Sequence, residues 1–259
     1  MHKTAQFRFY EELNDFLSHA KKKSLFSYDF EGNPSIKDAI EALGVPHTEV
    51  DLILVNGESV PFSYHLQDGD MVSVYPVFES MDITPVTHLR EKPLRKPKFI
   101  LDVHLGKLAK FLRMLGFDTL YENYYDDSEI VRIAQEQKRI ILTRDVSLLK
   151  MNAVTHGYWI RSQDPVKQLQ EVILRFDLFT NIRPFYRCID CNGMVKKTPK
   201  EAILDTLEPK TKSYYDKFFR CASCGKVYWE GSHFSRMKKF IENVKENIVQ
   251  QLEVQNNKK

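Results

Sequence analysis

The chain has 259 residues, 42% of them hydrophobic and 28% charged, which is enough for two or three globular domains of about 100 residues each. That balance excludes a disordered chain, and no apolar run approaches the roughly 18 residues needed to span a bilayer. The net charge of +3 hides an asymmetry, because residues 1–84 hold 6 Lys+Arg against 14 Asp+Glu and the remainder is strongly basic.

Ala5–Tyr10 alternates in strand fashion, with Phe7 and Phe9 on one face, and Ser24–Phe30 is predicted to pair with it as a hairpin. Ser35 caps a short amphipathic helix over Ile36–Leu43 that ends at Gly44. Asp51–Val55 is a strand stopped by the turn pair Asn56-Gly57, and Asp68-Gly69-Asp70 turns into a last alternating strand, Met71–Pro76. Two strands, a helix and two further strands in that order predict a β-grasp domain over residues 1–84. In its Val55-Asn56-Gly57 and Asp68-Gly69-Asp70 turns this region resembles the ubiquitin-like, sulfur-carrier-type β-grasp domains. A working carrier needs a free C-terminal Gly-Gly. Here the chain runs on through Pro76-Val77-Phe78-Glu79-Ser80, so a binding or regulatory module for a protein partner is expected instead.

A linker rich in Pro85, Pro93, Pro97 and basic residues is predicted over residues 81–98. An α/β module follows over residues 98–184. Phe99-Ile100-Leu101 is a short buried strand ended by Asp102, and Leu105, Leu108, Leu112 and Leu115 share one face of a helix closed by Gly116. Thr119–Tyr121 is a strand, a helix opens at Asp127 or Ser128 and runs to Gln137, and Arg139–Thr143 is the clearest buried strand. Strands alternating with helices at this spacing predict a parallel sheet. Residues 185–234 form a third module with all four cysteines, and residues 235–259 a helix, Ser235–Leu252, with a polar tail from Gln255 expected to be disordered.

Cys188, Cys191, Cys221 and Cys224 fall in two Cys-x-x-Cys pairs separated by 29 residues. Each pair fits a tight turn, and the separation suits a ribbon whose two knuckles face each other. Four thiolates leave no open position on a zinc ion, so a structural Zn²⁺ is expected. Gly193 and Gly225 are read as the glycines of the knuckle turns. Met1–Arg8 lacks the apolar stretch of a signal peptide, and thiols paired in this way suit a reducing, cytoplasmic setting.

In a parallel sheet, ligands sit beyond the carboxyl ends of strands. Asp102, Asp126, Asp127 and Asp145 all follow predicted strands or precede predicted helices. Their hard oxygens suit one or two Mg²⁺ or Mn²⁺ ions, which activate water in phosphodiester cleavage. From spacing alone each aspartate reads more readily as a helix cap, and capping does not exclude metal binding. Lys107, Arg113 and Arg144 lie near them in sequence and read as phosphate contacts or as solvated charges; His104 is a further neighbour of Asp102. No Gly-rich phosphate loop is present, which removes nucleotide-binding and dehydrogenase readings.

The stretch from Leu101-Asp102-Val103-His104-Leu105-Gly106-Lys107 through Arg113-Met114-Leu115-Gly116-Phe117-Asp118 resembles the opening signature of the Mut-seven C-terminal RNase family. Ile141-Leu142-Thr143-Arg144-Asp145 and the paired Cys-x-x-Cys knuckles follow in the family's order, over about residues 98–232. The resemblance implies a PIN-like nuclease domain with a C-terminal zinc ribbon, preceded in some members by a ubiquitin-like domain. It implies metal-dependent RNA cleavage with Asp102 and Asp145 at the metal centre, Asp126 or Asp127 as a further ligand, and Arg113 and Arg144 positioning phosphate. The expected function is therefore a ribonuclease whose ribbon, through Lys196, Lys197, Lys226, Tyr228 and Trp229, grips RNA or packs its own core. The alternative is a non-catalytic RNA-binding adaptor whose carboxylates only cap helices.

Overall fold

In the computed structural model, which describes residues 2–76 and 97–256, the chain is a mixed α/β protein. In the N-terminal part the elements are β1 (Lys3–Phe9), β2 (Phe26–Phe30), α1 (Ile36–Ala42), β3 (Val50–Val55), β4 (Glu58–Ser59) and β5 (Met71–Pro76). The middle part holds β6 (Phe99–Leu101), α2 (Gly106–Met114), β7 (Thr119–Leu120), α3 (Asp127–Gln137), β8 (Ile140–Thr143), α4 (Val146–Leu149), β9 (Gly157–Trp159) and α5 (Pro165–Arg175). The C-terminal part holds β10 (Val195–Thr198), α6 (Pro209–Tyr214), β11 (Phe218–Cys221), β12 (Val227–Trp229) and α7 (Ser232–Asn256). The linker predicted over 81–98 lies almost wholly outside the described residues, as does the end of the tail. The predicted tail disorder gives way to helix through Asn256.

The contacts divide the chain into two compact units that do not follow chain order. One takes in the N-terminal sheet together with residues 127–159. Its five strands run in the order β2-β1-β5-β3-β4, with β1 antiparallel to β2 and parallel to β5, which is the predicted β-grasp. Alternation in β1 and β5 sends Phe7, Phe9, Val72 and Val74 inward onto Ile36 and Ile40 of α1. Ser35 caps α1 as expected, its hydroxyl accepting the Asp38 N–H. Asn56 and Gly57 both take positive φ, 52° and 91°, so the β3–β4 turn has the twist that a two-residue hairpin needs.

Within the same unit, the β-grasp is bound to the segment around α4 and β9. His47, 8% exposed, bridges the Glu41 carboxylate (Nδ1, 2.6 Å) and the Val154 carbonyl (Nε2, 2.8 Å). Lys150 Nζ donates to the Glu41 carbonyl at 2.7 Å, the Trp159 N–H donates to Glu49 Oε1 at 2.6 Å, and Phe16 packs on the Trp159 ring at 4.9 Å. Here β8 and β9 pair in parallel, Leu142 opposite Tyr158.

The other unit comprises residues 97–126 and 160 onward. In it β6 and β7 pair in parallel, with Phe99 opposite Thr119. Gly116 (φ 94°) closes α2 where a Cβ would lie 2.2 Å from the Arg183 carbonyl oxygen. The ribbon sheet β10-β11-β12 is antiparallel throughout and has a small core of Ile203, Leu207 and Phe218. Three buried residues are too few to hold such a sheet on apolar contacts alone.

Candidate metal centre and acidic strand ends

The four cysteines meet. Their Sγ atoms all lie within 4.8 Å of one another, with Cys191 3.4 Å from Cys221 and Cys188 3.7 Å from Cys224. Sulfurs about 2.3 Å from one tetrahedral ion are about 3.8 Å apart, so the group fits a metal of that size and geometry. Each knuckle is wound the same way. The Asn192 N–H donates to the Cys188 carbonyl (3.0 Å) as the Gly225 N–H does to that of Cys221 (3.1 Å). Cys188 N–H donates to Gly193 and Cys221 N–H to Lys226, and backbone N–H groups of Gly193 and Ser223 reach the sulfurs of Cys191 and Cys221 at 3.4 Å.

The knuckle glycines divide differently from the sequence reading. Gly225 holds the left-handed position of the second knuckle (φ 75°), but Asn192, not Gly193, holds that of the first (φ 67°). Gly193 is needed for space, since a Cβ there would sit 2.5 Å from the Ser223 hydroxyl and 2.8 Å from Cys221 Sγ. Burial pushes the Cys191 thiol up to about 12. Burial also raises Cys221, but N–H groups of Cys224 and Ser223 and the neighbouring thiols outweigh it and bring that thiol to about 7. Tyr228 lies with its hydroxyl 2.9 Å from Cys188 Sγ, and burial followed by that contact raises its pKa.

The first knuckle is fastened to α2 and β7. Asn192 accepts the Thr119 N–H (3.0 Å) and donates to Asp118 (2.8 Å), which also pairs with Arg187 at 3.0 Å. Arg113, on α2, is 3% exposed and donates to the carbonyls of Thr119 (2.8 Å), Tyr121 (3.3 Å), Ile189 (3.2 Å) and Asp190 (2.5 Å). Burial lowers its pKa, with Glu122 and the thiols opposing. The expectation for Arg113 is therefore corrected: it is not a solvated charge, and its guanidinium is committed to the protein's own carbonyls.

The aspartates have unlike surroundings. Asp102, directly after β6, is 7% exposed, and its side chain makes no capping hydrogen bond to the short helical turn Val103–Leu105. Asp145, two residues beyond β8, is exposed and does cap α4, taking both the N–H and the hydroxyl of Ser147 on Oδ1 at 2.7 Å. Asp126 and Asp127 are exposed at the start of α3. Lys107 is exposed in the first turn of α2, and His104 is exposed beside it. Arg144 is half-buried, its carbonyl accepting from the Trp159 indole at 3.2 Å.

The family model of the Mut7-C RNAse domain matches residues 97–241, more than half of the chain, and that of the Mut7-C ubiquitin domain matches residues 2–82. The chain belongs to the Mut7-C RNAse family. No curated protein and no solved structure matches it. The Mut7-C match takes in β6, the cysteine knuckles and the first turns of α7 as one stretch, and the contacts of Arg113 and Asp118 with the first knuckle fall inside it. Sequence reading missed Asp118, Arg187 and Asn192 as anchors of that knuckle. The one available signal was an asparagine where the second knuckle has glycine. Arg113→Met keeps much of the side-chain volume but strips donors from several buried carbonyls. It is expected to cost about 3–5 kcal/mol of unfolding free energy, and a urea titration showing a loss below about 1 kcal/mol would refute the role given to Arg113.

Proposed function

We propose that this Mut7-C protein is a metal-dependent ribonuclease that hydrolyses RNA phosphodiester bonds. Its PIN-like middle domain supplies the acid residues, and Zn²⁺ held by the four cysteines is structural. The observation that carries the reading is Asp102, a carboxylate held at 7% exposure at the end of a parallel strand inside an RNAse-family domain, and not used as a helix cap. A carboxylate at the carboxyl end of a parallel strand stands where such sheets take their ligands. Asp145 is a further candidate ligand, since both of its capping bonds fall on Oδ1. Asp126 or Asp127 supplies a further oxygen.

Asp102, Asp145 and Asp126 or Asp127 would hold Mg²⁺ or Mn²⁺, which would supply a water of lowered pKa and offset charge on the leaving oxygen. The chain's own residues hold that oxygen set in place, while Lys107 and Arg144 orient the phosphate. The β-grasp domain, with its acidic surface, is assigned the docking of a protein partner. No helix among the described residues is long and apolar enough to cross a membrane, and four free thiols suit a cytoplasmic setting.

The test is cleavage of single-stranded and structured RNA by the purified protein with Mn²⁺ added or withheld. Mn²⁺-dependent products are expected. RNA bound but left intact in every metal would instead establish the non-catalytic adaptor.

A further inference from the structure

A groove of about 400 Å³ opens on the ribbon, and its lining is mostly apolar. Register puts Lys197, Phe219 and Tyr228 in one cross-strand row on β10, β11 and β12. Phe234 and Met237 of α7 also line the groove, and Phe185 packs on Phe234 with ring centroids 4.6 Å apart. Tyr186, 41% exposed, stands at the groove with Arg183 and Lys197, both exposed cations. Glu230 is the one acid in the lining. Ligand-binding clefts are usually about 300–1,000 Å³, and the groove falls in that range.

We propose that this groove takes the unpaired bases of single-stranded RNA, stacked on Tyr186 and Phe219, with Arg183 and Lys197 on the flanking phosphates. The proposal rests on the ribonuclease reading and adds how substrate is held. Charge argues for this occupant: residues 185–259 carry 15 Lys+Arg against 9 Asp+Glu, and the cations sit beside an aromatic floor. That pairing is what binds single strands without reading sequence. A duplex keeps its bases inside the stack and cannot present them to such a floor. The assignment also revises which side chains touch RNA. Tyr228 spends its hydroxyl on Cys188, and Lys226 is paired with Asp190, so neither is the principal contact.

The experiment is fluorescence anisotropy of a labelled 12-residue oligouridylate with the full chain, without added Mg²⁺ or Mn²⁺. Tyr186→Ala and Lys197→Glu are each expected to weaken binding about tenfold, and an abasic oligomer of equal charge to bind as weakly as Tyr186→Ala does to the parent oligomer. An RNA duplex is expected not to compete. Equal affinity for the abasic and base-carrying strands, or unchanged affinity in both variants, overturns the groove and favours a protein segment as its occupant. Zinc content checks that each variant keeps its ribbon, and Lys197→Glu, a surface change, decides if Tyr186→Ala does not. Cleavage with Mn²⁺ is measured in parallel. Base-dependent binding without cleavage sinks only the nuclease reading, and cleavage with unaltered affinities sinks only the groove.

Discussion

Replacing Asp102 by asparagine is expected to reduce Mn²⁺-dependent RNA cleavage about a thousandfold or more, the loss of roughly 4 kcal/mol of transition-state stabilisation. The substitution is nearly isosteric and removes one negative charge from a side chain that is 7% exposed, so packing around β6 is little disturbed. A second readout separates ligation from mere structure. If Asp102 binds the cation, added Mn²⁺ raises the melting temperature of the parent by mass action, and that rise disappears in the variant. Undiminished cleavage by Asp102→Asn would mark the activity as a contaminant. Cleavage lost with the Mn²⁺ effect intact would make Asp102 a structural residue and shift the metal centre elsewhere.

Removing one thiolate is the other large perturbation. Cys191→Ser is expected to lower zinc content from one ion per chain to none at modest free zinc, and to open the ribbon. Structural zinc supplies about 10–16 kcal/mol of apparent binding free energy in small domains near neutral pH, and ligation is then inseparable from folding. The ribbon has little else: three strands rest on Ile203, Leu207 and Phe218. Protease cuts should therefore appear between residues 185 and 234, while amides of the N-terminal sheet, which has its own core of Phe7, Phe9, Ile36 and Val74, stay protected. Full zinc content with an intact ribbon in the variant would show that three cysteines suffice. No zinc in the parent would remove the ion from the account altogether.

Periodicity made most of the β-grasp legible. Phe7 and Phe9, Ser35, Asn56-Gly57 and Met71–Pro76 each stated a local rule that the fold obeys. Leu108 and Leu112 did the same for α2, and Gly116 ends that helix as expected. The short strands β9 and β4 went unread. At the aspartates, local chemistry alone supports both readings. Ser147 answers the capping question for Asp145, whereas Asp102 accepts no cap bond from the turn it precedes. Arg113 was misjudged for a related reason: charge in a sequence says nothing of depth, and its partners Ile189 and Asp190 lie 76 and 77 residues away. The cysteines needed no such long-range knowledge, since spacing within each pair already fixes the turn.

The Asn192 side chain links the ribbon's first turn to Asp118 and to the Thr119 amide on β7, so the ribbon cannot be excised as a cassette. A truncation ending at residue 184 would leave the Arg113 guanidinium without two of its four carbonyls and Asp118 without Arg187 and Asn192, both facing a newly wetted surface. Such a fragment should be sticky and short-lived in solution, and any workable dissection of this protein has to keep the knuckles with the helix that grips them.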